Sequence, residues 1–222
     1  MIRVHHLAQS RSHRILWLLE ELGLDYAIEV YDRNPRTLLA PPALKKLHPL
    51  GKSPLVTLED GTLLAESGAI LESLVHLHPE PALAVKPGED GWRDYLYWLH
   101  YAEGSLMPLL VMTLVFRRIP KGPMPFFIRP VAKAISKKVI RTYIQPQLDD
   151  HLVLLERWFS QNDWCAGNRF SAADIQLGYP IEALTSRSSG LEKAPSLLAY
   201  LERLRQRPAY QEAERKGGPI SL

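Results

Sequence analysis

Four short segments hold side chains able to do chemistry. In Leu58-Glu59-Asp60-Gly61-Thr62-Leu63-Leu64-Ala65-Glu66-Ser67, an acid and a serine stand where a hairpin runs into a helix. Ser67 is placed to cap that helix, whose first N–H groups also cradle carboxylates. Glu66 is placed to take an ammonium, so the pair suits the α-amino acid end of a ligand; an ordinary cap beside a surface acid is the plainer alternative. In His48-Pro49-Leu50-Gly51-Lys52-Ser53-Pro54-Leu55, Pro54 heads a strand, where proline is tolerated at a start or an edge. A cis Ser53–Pro54 bond would turn the Ser53 backbone outward to pair with an extended peptide, and Lys52 would meet a carboxylate. A proline-rich turn with a solvated lysine explains the same residues. In Gln9-Ser10-Arg11-Ser12-His13-Arg14, hydroxyls stand at the positive end of a helix. That setting stabilises an anion, a thiolate included, and lowers a thiol pKa from its free value of about 8.5. Capping by Ser10 or Ser12 is the alternative. In Gly167-Asn168-Arg169-Phe170-Ser171-Ala172-Ala173-Asp174-Ile175, Ser171 and Asp174 form a capping-box variant that starts a buried helix, a structural role.

The elements that must carry these segments fall into two groups. Ile2–Leu7 and Tyr26–Tyr31 read as strands, with a helix from Ser12 to Leu22 stopped by Gly23. Leu38–Leu47 reads as a short helix entered through Pro41 and Pro42. Pro54–Glu59 and Thr62–Glu66 flank Asp60-Gly61 as a hairpin, and Ser67 opens a third helix. A βαβ unit followed by a ββα unit predicts a mixed four-stranded sheet covered by helices, the thioredoxin-like arrangement. Pro79, Pro81, Pro87 and Gly88 then form a linker. Beyond it the pattern is all-α: a long helix over Trp92–Phe116 bent near Pro108, a loop over 120–130, helices over Val131–Gln145 and Leu148–Phe159 with a kink or break at Pro146, and helices over Ser171–Leu184 and Pro195–Arg205. The fold class is therefore α/β plus all-α, with domains at 1–80 and 89–222.

With 222 residues, 46% apolar and 23% charged, the chain has the composition of a globular protein. A net charge of +3 is too small to argue for nucleic acid. The longest apolar run, Leu106–Phe116, falls short of the roughly 20 residues of a bilayer span. The N-terminus lacks the apolar core of a secretory signal. A cytoplasmic protein with neither nucleic acid nor membrane as partner is expected. One cysteine excludes an intrachain disulfide; Cys165, after Trp164, reads as an inert core residue. His5, His6 and His13 have poor spacing for a metal, and none is expected. No G-x-S-x-G elbow supports a serine hydrolase. The charge is uneven: Glu103 to Asp149 encloses eight basic residues and no acid, while the rest of the chain holds 19 basic and 24 acidic residues. A solvated face is one reading of that run; an anionic second substrate or an acidic surface is the other.

Taken together and in order, the four segments resemble the cytosolic glutathione S-transferases over essentially the whole chain. Leu16–Leu19, Ala65-Glu66-Ser67-Gly68 and Tyr101-Ala102-Glu103-Gly104-Ser105 are similar to a bacterial and fungal serine-type branch. The resemblance implies a transferase conjugating the glutathione thiolate to small hydrophobic electrophiles, a detoxification activity, with hydroperoxide reduction open to the same thiolate. Glutathione is the implied co-substrate and a homodimer the implied assembly. By position, Glu66 and Ser67 match the γ-glutamyl site. Ser53 matches the residue whose backbone pairs with the cysteinyl unit before a cis Pro54, and Lys52 the glycyl end. Ser10, four residues before Arg14, matches the catalytic serine. Arg11, Ser12 or a backbone N–H remain open for that role. His48 stands where the family usually has Asn, and Ser53 replaces the commoner Val or Ile. The electrophile site is expected on the 92–116 helix, with Tyr101, Ser105 and Met107 as its candidates, beside Trp98 and Met112. Glu103 is a candidate for the glutathione amine of a partner subunit. A non-catalytic glutathione- or apolar-ligand-binding protein on the same fold is the alternative.

Overall fold

The computed structural model describes residues 1–35, 37, 39–187 and 190–219. Strands β1 (Ile2–Leu7), β2 (Tyr26–Tyr31), β3 (Leu55–Thr57) and β4 (Leu63–Ala65) form one sheet in the order β2-β1-β3-β4. β1 runs parallel to β2 and antiparallel to β3, which pairs antiparallel with β4. The mixed sheet is thus as the pattern predicts. The hairpin strands are shorter than expected because residues 58–62 close a wider turn. Leu58 N–H donates to Thr62 O, Gly61 adopts φ +87°, and Asp60 Oδ1 accepts the Thr62 N–H at 2.8 Å.

Helix α1 (His13–Glu21) buries seven of its nine residues, His13 through Leu19. A helix buried nearly all round lies between two layers. One face meets the sheet and the other the helical region. Helix α2 (Ala43–Leu47) enters through Pro42, later than the pattern suggests; Leu38, the expected start, lies outside the described residues. Helix α3 (Ser67–Leu77) packs Ile70, Leu71, Leu74 and Val75 into the core.

The remaining helices are α4 (Trp92–Tyr101), α5 (Met107–Arg118), α6 (Arg129–Val139), α7 (Gln145–Phe159), α8 (Ala172–Arg187), α9 (Pro195–Arg205) and α10 (Pro208–Gly217). Two π-helical turns join them, Ala102–Leu106 before α5 and Ile140–Ile144 before α7. Each turn ends two residues before a proline, Pro108 or Pro146. Proline has no N–H for the carbonyl four residues back, and the wider turn relieves the loss. Near Pro108, where a bend is expected, the helix carries the π-turn and runs on, and Pro146 likewise marks a continuous join and not a break. Trp92–Lys121 makes one 30-residue helical run, longer than the sequence suggests and apolar enough to cross a bilayer by length and composition. Of its apolar window, 44% is buried in the fold.

Helix α8 is the centre of this region, buried all round from Ala172 to Leu184. Gly178 lets it touch α1: a Cβ there would stand 2.9 Å from Trp17 Cζ3. Helix α10 has no counterpart in the sequence reading, because Pro208 and its charges hide the apolar face of Tyr210 and Ala213. It packs on α1 through Arg207, whose Nε and Nη2 donate to Glu21 at 2.5 and 2.7 Å, and whose guanidinium lies 3.5 Å over the Phe170 ring.

Candidate functional site

The loop from β1 to α1 brings the hydroxyls together. Ser10 Oγ lies 2.8 Å from Ser12 Oγ and 3.4 Å from Ser53 Oγ, and accepts the Ser12 N–H at 3.2 Å. Gln9 before it has φ 54°, a left-handed conformation that turns the loop. The proton inventory can be followed from the far end. His6 Nε2 is 3.0 Å from the Gly217 carbonyl, which only accepts, so Nε2 carries the hydrogen. Burial lowers the His6 pKa and keeps the ring neutral, so Nδ1 is an acceptor. Ser12 Oγ, 2.9 Å away, donates to it. Ser12 is fully buried, with His6 Nδ1 at 2.9 Å and the Leu7 carbonyl at 3.3 Å to take its proton, whereas Ser10 reaches the cleft. Gly217 must be glycine for this contact: a Cβ there would stand 2.5 Å from Leu16 Cδ1 and 3.1 Å from His6 Cε1.

His13 lies behind the loop, edge-on to Tyr210, with Nε2 buried and without a hydrogen-bond partner. Burial first, then His6 and Arg14, pushes its pKa down to about 4. The unfolded chain binds this proton below about pH 6.5 and the native chain does not until about pH 4. Stability is therefore expected to fall as pH drops from 6.5 towards 4, by about 3 kcal/mol from this group alone. Urea unfolding of wild type and His13→Gln across that range checks it. Parallel pH profiles for the two proteins would refute the assignment.

Opposite the loop, the Ser53–Pro54 bond is cis, and Ser53 Oγ donates to the His5 carbonyl at 3.4 Å. Lys52 is exposed at the rim. His48 closes α2 and accepts the Leu50 N–H on Nδ1 at 3.4 Å. Helix α3 differs from expectation at its start. Ser67 is its first residue and not its cap; Glu66 occupies the cap position with φ 69°, and no side chain caps the helix. The Ser67 hydroxyl is buried and accepts from Arg14 Nη1 at 3.1 Å. Such a φ costs about 1–3 kcal/mol in a non-glycine residue. The cost leaves the α3 N–H groups open to the cleft.

Arg14 ties the cleft to the helical region. It is 1% exposed, pairs with Glu103 Oε1 at 2.5 Å, donates to Gln176 Oε1 at 3.2 Å, and lies 5.2 Å over the Tyr179 ring. Arg11 shares Glu103 Oε1 at 3.0 Å. Glu103 rides on the first π-turn and lines the cleft of its own chain.

Two adjoining hollows result. The smaller, about 190 Å³, lies between Ser53, Lys52, Glu66, Ser67, Arg11 and Glu103. The larger, about 490 Å³, begins at Ser10 and Arg11 and extends over Leu7, Leu39, Pro42 and Tyr179. Thus Ser10, Lys52, Ser53, Pro54, Glu66 and Ser67 converge on one cleft. Tyr101, Ser105 and Met107 do not. Tyr101 and Met107 are core residues, Tyr101 with its hydroxyl 2.6 Å from His151 Nδ1, and Ser105 is exposed away from both hollows. They follow the helical period of a core face, and periodicity does not separate a core face from a pocket wall. The wall instead comes from Arg33, Leu39, Lys45, Leu50 and Tyr179. Leu50 lies in the His48–Leu55 segment singled out above, and Tyr179 lies five residues after Asp174 on the helix that the capping box starts. Cys165 is buried, its thiol pushed well up by burial. Among the described residues no cluster of three or more His, Cys, Asp or Glu could hold a metal ion.

Sequence and structure comparisons agree with each other. Family models for the glutathione S-transferase N-terminal and C-terminal domains match residues 10–77 and 125–212. The chain is 35% identical to Glutathione S-transferase 3 of Schizosaccharomyces pombe, over 97% of this chain and 88% of that one. It is 30% identical to Glutathione S-transferase 1 of Saccharomyces cerevisiae, over 97% and 95%. A glutathione S-transferase structure from Actinobacillus pleuropneumoniae superposes with a TM-score of 0.79 at 31% identity, covering 100% of this chain and 95% of that chain.

Proposed function

Because the chain belongs to the glutathione S-transferase family, we propose that the cleft described above binds glutathione as co-substrate and that Ser10 serves its thiol. The enzyme is a glutathione transferase. Glutathione supplies the sulfur nucleophile, and the chain's residues bind it, orient it and hold its charge.

The observation that carries the site reading is the uncapped start of α3. Its free N–H groups suit the γ-glutamyl carboxylate, and Glu66 beside them suits the ammonium. Ser53, before the cis bond and lining the same hollow, suits the cysteinyl unit with its backbone. Lys52 at the rim suits the glycyl carboxylate. Ser10 is favoured as thiolate donor over Ser12 because the Ser12 proton is already given to His6. Arg11 stands next in line and is held off by Glu103. The domain division at 1–80 and 89–222 belongs to this reading, with the first part holding glutathione. So does a cytoplasmic homodimer, for which the exposed Val111, Val115, Val131 and Ile135 offer apolar surface.

Calorimetric titration with glutathione tests the reading. Binding at micromolar to millimolar concentration is expected, followed by conjugation of an aryl halide. No heat at millimolar glutathione would overturn it, and binding without turnover would make the protein a glutathione carrier.

A further inference from the structure

We propose that the loop joining α5 to α6 docks the protein on an anionic lipid surface. Phe126 and Phe127 enter the headgroup layer, and the lysines and arginines around them meet lipid phosphates and carboxylates. The proposal stands apart from the glutathione cleft, neither of whose hollows includes these residues.

Residues Pro125 through Val131 are seven consecutive exposed positions. Within them Phe126 is 84% and Phe127 65% exposed, their rings edge to face with centroids 5.7 Å apart. Ile128 is exposed beside them, as is Ile119 at the end of α5. A fold gains by burying such side chains, and an apolar patch left in water marks a contact surface. Pro123, Pro125 and Pro130 stiffen the loop, so little conformational freedom is lost when it docks.

The charge around the rings is of one sign. The stretch from Glu103 to Asp149 holds eight basic residues and no acid between its ends. Lys121 precedes the loop, and Arg129, Lys133 and Lys137 follow it at four-residue spacing, on one face of α6. All four are exposed, and none pairs with an acid among the described residues. Helix α6 buries Ser136 alone, so it lies on the outside of the fold as a basic amphipathic helix. That pattern suits a helix lying in the plane of an anionic bilayer surface. A soluble polyanion would satisfy the cations and leave the rings in water. An anionic bilayer takes both, the rings at headgroup depth and the cations on its acidic groups.

The sequence reading expects no membrane partner because its longest apolar run is too short to span a bilayer; a contact lying on the surface needs no span. Val131 and Ile135 continue the apolar stripe along α6 and are among the residues offered above to a second copy. The proposal rests on the loop before them.

Co-sedimentation of the whole protein with vesicles tests it. Vesicles of phosphatidylcholine with phosphatidylserine are compared with vesicles of phosphatidylcholine alone. Binding is expected to the first kind only, at about 0.05 M sodium chloride, and should fall about tenfold or more at about 0.5 M. Phe126→Ser with Phe127→Ser should lower the partition coefficient by about tenfold, with the oligomeric state by light scattering unchanged. Lys133→Gln with Lys137→Gln should lower it by a similar factor. No binding to the mixed vesicles, equal binding to both kinds, or indifference to salt overturns the proposal even if a variant fails to fold. Binding that survives loss of the rings makes the basic run a general polyanion site. A changed oligomeric state in the phenylalanine variant gives the patch to a second copy. Either result overturns the proposal too.

Discussion

Ser10→Ala is expected to raise the pKa of the enzyme-bound glutathione thiol towards its free value and to lower kcat/KM by about 10²–10³, the cost of removing one donor to a developing anion. Glutathione affinity should change little, because Glu66, Ser67 and Lys52 carry the binding in this reading. The argument follows the hydroxyl protons. The Gly217 carbonyl fixes the His6 tautomer, His6 takes the Ser12 proton, and Ser10 therefore donates to Ser12 Oγ at 2.8 Å, a proton that the rotatable hydroxyl turns to a thiolate in the cleft. The Ser12 N–H meanwhile holds the Ser10 oxygen in place. Titration of the bound thiolate by its ultraviolet absorbance checks this directly. An unchanged thiol pKa would pass the role to Arg11 or a backbone N–H.

Asp174→Ala is expected to cost about 3–5 kcal/mol of stability, the cost of orphaning partners around a buried charge. Asp174 is completely buried and accepts four hydrogen bonds: from Cys165 N at 2.7 Å, Ser171 N at 2.8 Å, Ser171 Oγ at 3.0 Å and Tyr200 OH at 2.9 Å. Alanine leaves two backbone N–H groups and two hydroxyls without their acceptor, at about 1–3 kcal/mol for each buried group left unsatisfied. It also removes the start of α8, which lines the cleft through Tyr179 and holds Arg14 through Gln176. Against a typical total of about 5–15 kcal/mol, the loss is a large fraction. Urea unfolding monitored by tryptophan fluorescence measures it, and a loss below about 1 kcal/mol would show that the surroundings collapse to replace the carboxylate. Burial raises the Asp174 pKa despite these donors, so desolvation outweighs them in setting its charge.

Both predictions begin from residues that local patterns single out, and the two patterns differ in what they convey. The capping box of Ser171 and Asp174 acts within one helical turn, so its role is readable from spacing alone. The hydroxyls at Ser10 and Ser12 look equivalent in sequence. They are separated by His6 and by Gly217, the latter some two hundred residues away on a helix the pattern did not reveal. The Ser67 cap failed for a similar reason. Arg14, from α1, takes the Ser67 hydroxyl, and Glu66 bends into the cap position instead.

The sequence determined the local matters. The strand and helix periods, the Asp60-Gly61 turn, the glycine stop of α1 and the proline positions are set by interactions within a few residues, and they suffice for a mixed sheet followed by helices. They also placed Ser10, Lys52, Ser53, Pro54, Glu66 and Ser67 at element ends, which the fold gathers at one end of the strands of that sheet. Only the tertiary structure decided which apolar faces are walls and which are core. Tyr101 and Met107 obey the same 3.6-residue period as pocket residues would, and went inside because helices from elsewhere in the chain cover them. The basic run between Glu103 and Asp149 is legible in the sequence, but the place of Phe126, Phe127 and Ile128 within it is not. An apolar run of three reads as core or as surface, and the fold leaves these side chains outside because α6, burying Ser136 alone, gives the loop before it nothing to pack under.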